Sequence, residues 1–544
     1  MKIATVSTRP FIDQNPGTAG LRKSVRAFQQ PHYLENYIQA CFDAIPSLIS
    51  GTLVIGGDGR YFNREAIGTL LKMAAANGVK KSIIGRGGLL STPAASMLIT
   101  HLRAAGGFIF TASHNPGGQQ GDFGIKLNLA NGGQATEANC NSIYQRSRAI
   151  THYRMLDVTS AIDLNRIGSQ QLGSMSIEII DPIAHYAGVM ENLFDFEIIR
   201  ALLRSATFQM HFDAMHAVTG PYAVEIFEKR LGARPGTVIH GTPMEDFAGV
   251  HPDPNPLEMP GLIKLFSAED SPDFGAASDG DGDRNMIIGR KMLVSPGDSL
   301  AVLTANAHLV PGYASGLIGV ARSMPTSHAV DRVAEKLGIP CYETPTGWRF
   351  FCNLLDAGKV SLCGEESFGT GSNHAREKDG LWAILFWLNL IAVRSENVGM
   401  ILTRHWQEYG RDFFQREDYY ISDAAQAQAL MRLLSSRVGG LPDETVAGVT
   451  VRNAENFTYH DPVDGSISHN QGIWVTTAGG GRIVYRLSGT GTRGATLRIY
   501  LEQYLPDAAQ HSQTRSAVLA PLSRMAQSLA RLDTQGIQSP SAVI

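Results

Sequence analysis

Short apolar runs closed by Gly/Asp or polar turns alternate along the chain with segments whose apolar residues recur every three or four positions. Leu53-Val54-Ile55-Gly56-Gly57-Asp58 predicts a strand, and Arg64 to Asn77 follows with helical spacing. Ser82-Ile83-Ile84-Gly85 predicts a second strand and Pro93 to Ala105 a second helix. Gly107 to Thr111 reads as a third strand that stops at Ser113-His114-Asn115-Pro116-Gly117-Gly118. The rhythm returns twice. A strand at Phe208 to Phe212 and a helix at Pro221 to Leu231 precede Asp279-Gly280-Asp281-Gly282-Asp283-Arg284. Leu317 to Ala321, a helix from Ser327 to Leu337 and Val360 to Cys363 precede Gly364-Glu365-Glu366-Ser367.

This alternation predicts mixed, largely parallel sheets with helices on both faces. Three units of similar size, each ending in a polar loop, predict three related α/β domains without a strict sequence repeat. The last part differs. A helix at Ala424 to Arg437 is followed by strand patterns at Gly448 to Ala454, Gly472 to Thr477 and Arg482 to Leu487, predicting an α+β fourth domain. A chain of 544 residues exceeds the roughly 250 to 300 residues that one core sustains. The expected divisions are 1–188, 189–300, 301–405 and 406–544.

Composition narrows the class of partner. With 43% hydrophobic and 18% charged residues and a net charge of -3, the chain reads as globular, with no electrostatic case for nucleic acid or an anionic membrane. The most apolar stretch, Leu381 to Val393, is bounded by Asp379 and Arg394 and is shorter than the roughly 20 residues of a membrane span, so it predicts a buried helix. Five cysteines form no CxxC pair and no zinc spacing, and the start of the chain lacks the apolar run of a secretory signal. A reducing cytoplasm is expected. Oligomeric state is left open.

Two loops carry candidate chemistry. Ser113 follows a strand on a Pro-Gly-Gly loop, where open α/β sheets place ligands, though a plain turn serine would look the same. No Gly-x-Ser-x-Gly elbow surrounds it, and His114, adjacent on an extended backbone, points away, so a serine hydrolase is disfavoured. Asp279, Asp281 and Asp283 alternate with glycines, and three close carboxylates call for a cation. Hard oxygen donors suit Mg²⁺. A calcium EF-hand loop is excluded because its sixth and twelfth places hold Arg284 and Arg290.

The context Thr111-Ala112-Ser113-His114-Asn115-Pro116 and the Asp279 loop together resemble the α-D-phosphohexomutase superfamily. Gly364-Glu365-Glu366-Ser367-Phe368-Gly369 is similar to its sugar-binding loop, and Arg486-Leu487-Ser488-Gly489-Thr490-Gly491-Thr492 to its phosphate-binding loop. Asn15 to Lys23, Gly57 to Asn63 and Pro345 to Phe351 resemble the phosphoglucomutase branch typified by eukaryotic enzymes. The resemblance runs over nearly the whole chain in the family's motif order.

It implies four domains around a central cleft and the interconversion of α-D-glucose 1-phosphate and glucose 6-phosphate through a phosphoserine and glucose 1,6-bisphosphate. By the same resemblance Ser113 is the phosphorylated residue and, with Asp279, Asp281 and Asp283, holds Mg²⁺. Glu365 and Ser367 bind sugar hydroxyls. Arg22, Arg284, Thr346, Gly347 and Lys378 line the cleft, and Arg486, Ser488, Thr490 and Arg498 grip the phosphate that is not reacting. Lys126 and His114 lie near the serine as candidate bases, Lys126 being favoured because cationic neighbours can lower a lysine's pKa, with a lysine that simply offsets phosphate charge as the equal alternative. Asn373 departs from the aspartate that close relatives generally carry.

Gly489-x-Gly491-x-x-Gly494 superficially matches a dinucleotide fingerprint, but Ala495 to Leu501 alternates like a strand where that motif needs a helix. Two alternatives remain: a sister specificity such as phosphomannomutase or a hexosamine phosphate mutase, and a non-catalytic scaffold. The presence of every chemical residue argues against the scaffold.

Overall fold

Leu53, Val54 and Ile55 are consecutive, apolar and almost wholly buried, a pattern that suits a strand covered on both faces. In the computed structural model, which describes residues 2–17, 19–158, 162–488, 495–533, 536–537 and 539–544, Thr52–Gly57 is the central strand of a seven-stranded sheet. It pairs in parallel with Lys81–Leu89 on one side and Gly106–Phe110 on the other, and Asp122–Leu129 then runs antiparallel to Gly106–Phe110.

The same four-strand order recurs. Met210–Asp213 lies parallel to Val238–Ile239 and Phe274–Ala277, and Met286–Gly289 reverses against Phe274–Ala277. Val320–Ser323 lies parallel to Cys341–Thr344 and Leu362–Glu365, and Gly369–Ser372 reverses against Leu362–Glu365. In all three, the turn from the last parallel strand into the reversed one leaves the carboxyl ends of the parallel strands, where such sheets bind ligands. Those turns hold Ser113, the Asp279 loop and Glu366-Ser367-Phe368 respectively.

The fourth sheet is antiparallel throughout, in the order Thr445–Val446, Val449–Asn456, Ile473–Thr477, Gly481–Ser488, Ala495–Leu505, Arg411–Ile421, Ala542–Val543. Helices Ala424–Arg437 and Arg515–Ala530 share one core with it through Leu430, Leu434, Leu522 and Met525. The strand Arg411–Ile421 was hidden from a periodicity reading because charged residues interrupt its apolar positions. Those charges are paired, Asp412 with Arg332 at 2.7 Å and Arg416 with Asp418 at 3.0 Å.

A single apolar cluster runs from Val54 and Leu90 through Tyr186 and Phe212 to Trp382 and Phe386, welding the first three units together. The fourth meets the third through a smaller apolar cluster, in which Met324 and Phe350 pack with Phe457, Tyr459, Val484 and Tyr500, and through charged side chains. His328 bonds Glu502 at 2.8 Å, and Arg482 donates to the Met324 carbonyl at 2.6 Å. The predicted helix at Pro221 to Leu231 is irregular. It begins at Thr219–Ala223 and continues over Val224–Arg230 with wider turns, such as the bond from Leu231 N–H to the Ile226 carbonyl. Gly380–Arg394 is a core helix, buried from Gly380 to Ile391. Among the described residues no single helix is long and apolar enough to cross a membrane. Gly380–Arg394 and Val398–Tyr409 reach that length only as a pair bent by 84°.

Candidate active site

Ser113 adopts a left-handed backbone with φ 53°, a conformation that costs a non-glycine residue on the order of 1 kcal/mol and persists only when its surroundings hold it. The hold is visible. The Thr111 hydroxyl accepts the Ser113 N–H at 2.7 Å, and the buried Arg60 guanidinium donates to the Ser113 carbonyl at 2.6 Å and to the Asp122 carbonyl at 2.9 Å. Asp58 fixes both partners, accepting from Arg60 Nε at 2.9 Å and from the Thr111 hydroxyl at 2.5 Å. The result aims the Ser113 hydroxyl at Asp279 Oδ2, 2.8 Å away.

The second loop curls because Asp279 Oδ1 accepts the N–H groups of Asp283 and Arg284 at 2.9 and 3.0 Å. A Cβ on Gly280 would stand 2.4 Å from the Ser113 carbonyl oxygen, so only glycine lets the two loops touch. Helix Thr92–His101 directs its first turn at the same place, its Thr92 N–H bonding the Asp281 carbonyl at 3.0 Å and its hydroxyl Asp281 Oδ2 at 2.6 Å. The positive end of that helix therefore faces the carboxylates.

Asp279, Asp281 and Asp283 are buried, and one oxygen of each lies within 4.8 Å of the others. Asp281 Oδ1 and Asp283 Oδ1 have no hydrogen-bond partner among the described residues. Burial, reinforced by Asp283 and Asp281, pushes Asp279 well above the usual carboxylate range. Buried, unsatisfied and mutually repelling oxygens of this kind fit a hard divalent cation.

Lys126 requires a correction. Burial alone would lower its pKa as expected, but Asp281 at 2.6 Å, Asp283 at 3.0 Å and the nearby Glu377 raise it instead. Arg22 does act on it as a cationic neighbour that lowers the pKa, but the carboxylates outweigh it. His114 behaves in the opposite way. Burial, then Arg284 and Arg22, hold its pKa well below the ordinary histidine value, and its Nδ1 is buried without a hydrogen-bond partner among the described residues.

Around this centre stand further cations. Arg284 Nη1 bonds Asp253 at 2.8 Å while its Nε has no hydrogen-bond partner among the described residues, and Arg22 reaches Asn115 Oδ1 at 3.5 Å. Lys378 Nζ sits 3.5 Å from Asp283 and 3.6 Å from Glu365, joining the second loop to the third. Glu365 Oε1 accepts the Gly347 N–H at 3.0 Å, which brings Gly347 and the adjoining Thr346, whose buried hydroxyl has no partner among the described residues, to the third loop. Ser367 follows on that loop, half-buried.

In the fourth domain Arg486 lies opposite Arg498 across neighbouring strands, and Ser488 opposite Thr496. Arg284 of the second domain acts electrostatically on Arg498, and Glu366 of the third loop stands 3.8 Å from Arg486. Thr490 lies outside the described residues. Sequence reading missed Asp58, Arg60, Thr92, Glu366 and Glu377. Asp58, Arg60 and Glu366 fall inside quoted motifs, which was the signal available. Nothing local marks Thr92 or Glu377, whose carboxyl burial pushes up to about 7 although Asn128 and Gln134 donate to it.

Comparison with known proteins is consistent from end to end. Residues 13–154, 185–292 and 296–409 match the family descriptions "phosphoglucomutase/phosphomannomutase, alpha/beta/alpha domain" I, II and III, and residues 411–541 match "phosphoglucomutase-1, C-terminal domain". A phosphoglucomutase of Rhizobium radiobacter is 54% identical over 542 residues, covering 100% of both chains. A chloroplastic phosphoglucomutase of Marchantia polymorpha is 47% identical, covering 98% of this chain and 83% of its own. The open form of Paramecium pp63/parafusin, a phosphoglucomutase, superposes with a TM-score of 0.92 at 41% identity, covering 100% of this chain and 99% of its own.

Proposed function

The chain belongs to the phosphoglucomutase/phosphomannomutase family, and from that premise we infer that it interconverts α-D-glucose 1-phosphate and glucose 6-phosphate, acting as an isomerase by phosphoryl transfer. The observation that carries this reading is the Ser113 hydroxyl, 2.8 Å from a buried triad of aspartates that it could share with a cation.

Ser113 is the phosphate carrier. Asp279, Asp281 and Asp283 would hold Mg²⁺, which supplies charge neutralisation for a phosphoryl group whose negative charge is spread over its oxygens in flight. Arg284 and Lys378 add fixed positive charge on the same side. His114, kept neutral, can accept the proton of the attacking sugar hydroxyl. Lys126, held between Asp281 and Asp283, serves as their structural counter-ion.

Moving phosphate between the two ends of one sugar requires glucose 1,6-bisphosphate to turn around. Glu365 and Ser367 would take sugar hydroxyls, with Arg22, Thr346 and Gly347 lining the cleft. Arg486, Ser488, Thr490 and Arg498 would clamp whichever phosphate is not reacting, since guanidinium and hydroxyl groups read a phosphate without reading the sugar. Free cysteines fit a cytoplasmic setting. A coupled assay from glucose 1-phosphate with trace bisphosphate, run beside mannose 1-phosphate, tests the reading. Turnover of neither sugar overturns it, and preference for mannose reassigns the specificity.

A further inference from the structure

The two strands that carry the clamp set like charges against each other. Arg486 stands directly opposite Arg498, which destabilises a sheet unless something offsets it. Arg284 adds a further positive field on Arg498. Asp418 lies 3.8 Å from Arg498, and the carboxylate within 4 Å of Arg486 among the described residues is Glu366.

Glu366 is 4% exposed and held at both oxygens. The Ser323 hydroxyl of the third domain donates to Oε2 at 2.9 Å, and the Tyr500 hydroxyl of the fourth donates to Oε1 at 3.0 Å. Burial would raise its pKa, but Arg486, the Ser323 hydroxyl and Arg498 hold it below the usual carboxylate value, so it is a charge. Its distance from Arg486 matters. Charge-assisted N–H···O bonds close to about 2.7 to 2.9 Å. At 3.8 Å Glu366 offsets the charge of Arg486 without occupying its donors, of which Nη1 makes a 3.4 Å bond to the Tyr500 hydroxyl.

Resting on the clamp assignment above, we propose that Glu366 is a positioning residue of the reaction, a fixed counter-charge that limits how tightly Arg486 and Arg498 hold phosphate so that the bisphosphate can leave the clamp, turn and rebind. Two half-buried guanidiniums without it would stabilise every bound phosphate alike, which lowers KM and slows the turn.

The probe is inorganic phosphate as an inhibitor of glucose 1-phosphate turnover, measured on wild type, E366Q, Y500F and R486A together with melting curves. E366Q keeps the shape and drops the charge, and its phosphate inhibition constant should fall about fivefold to tenfold, with KM and kcat falling together. E366M is a second uncharged side chain of similar length should the glutamine variant fail to fold. Y500F keeps the charge and loses the interdomain hydroxyl, and its phosphate affinity should stay within about twofold of wild type. A merely structural Glu366 would weaken or leave unchanged phosphate binding in E366Q and E366M while R486A weakens it, and that result overturns the proposal. If R486A leaves phosphate binding unchanged, the clamp assignment itself fails and the counter-charge role falls with it.

Discussion

Ser113 and Asp279, 166 positions apart in the chain, meet at 2.8 Å with both side chains buried. The contact exists because two domains of the same topology present the equivalent turn to each other, and because Gly280 has no side chain to hold the turns apart. A nucleophilic oxygen thereby lies beside a cation-binding cluster, the arrangement phosphoryl transfer requires.

Removing that oxygen should end turnover and spare the fold. Ser113→Ala is expected to retain less than a hundredth of wild-type activity, with a melting midpoint within about 2 °C of wild type, since one loop hydroxyl contributes little packing. Activity above that level would return Ser113 to the status of a turn residue.

Stripping divalent metal should abolish activity and Mg²⁺ should restore it, because Asp281 and Asp283 each keep a buried oxygen without a hydrogen-bond partner among the described residues. Ca²⁺ should restore it poorly, its longer bonds and looser geometry fitting the site less well. Full turnover after exhaustive chelation would contradict the metal role of the triad.

Arg486→Ala should remove a charge-assisted phosphate contact worth about 1.5 to 3 kcal/mol, lowering kcat/KM roughly tenfold to 150-fold for glucose 1-phosphate and glucose 6-phosphate alike. The check is steady-state kinetics in both directions beside a melting curve. Unchanged kinetics in both would mean that another group anchors the phosphate.

Acid should destabilise the third domain through His405. Burial lowers its pKa to about 4, its Nδ1 has no hydrogen-bond partner among the described residues, and an unfolded histidine titrates near 6.5. Between those values the unfolded chain binds a proton that the folded one refuses, so stability falls as pH drops from about 6.5, by up to about 3 kcal/mol near pH 4. His405→Gln should flatten this slope in denaturant midpoints taken from pH 7 to pH 4.5. Parallel curves for variant and wild type would refute it.

How much of this was legible can be argued from particular residues. Thr52–Gly57 and Gly106–Phe110 were readable because a buried parallel strand is apolar on both faces. Arg411–Ile421 was not, because its charges acquire partners such as Arg332 only after folding. The aspartate loop announced itself, since three carboxylates in five residues need a cation wherever they are. The pKa of Lys126 could not be read, because it depends on Asp281 and Asp283, more than 150 residues away.

The sequence by itself determined the four-part organisation, the strand-end loops and the residue types of the chemistry, because periodicity, turn residues and clustered charge are local properties. Only the tertiary structure decided which loops touch and what each titratable group faces. It set Ser113 against Asp279, turned Lys126 into the partner of two carboxylates, left His114 neutral among cations, and placed Glu366 beside Arg486. Electrostatic character inside a cleft is set by distance through space, and distance along the chain carries almost no information about it.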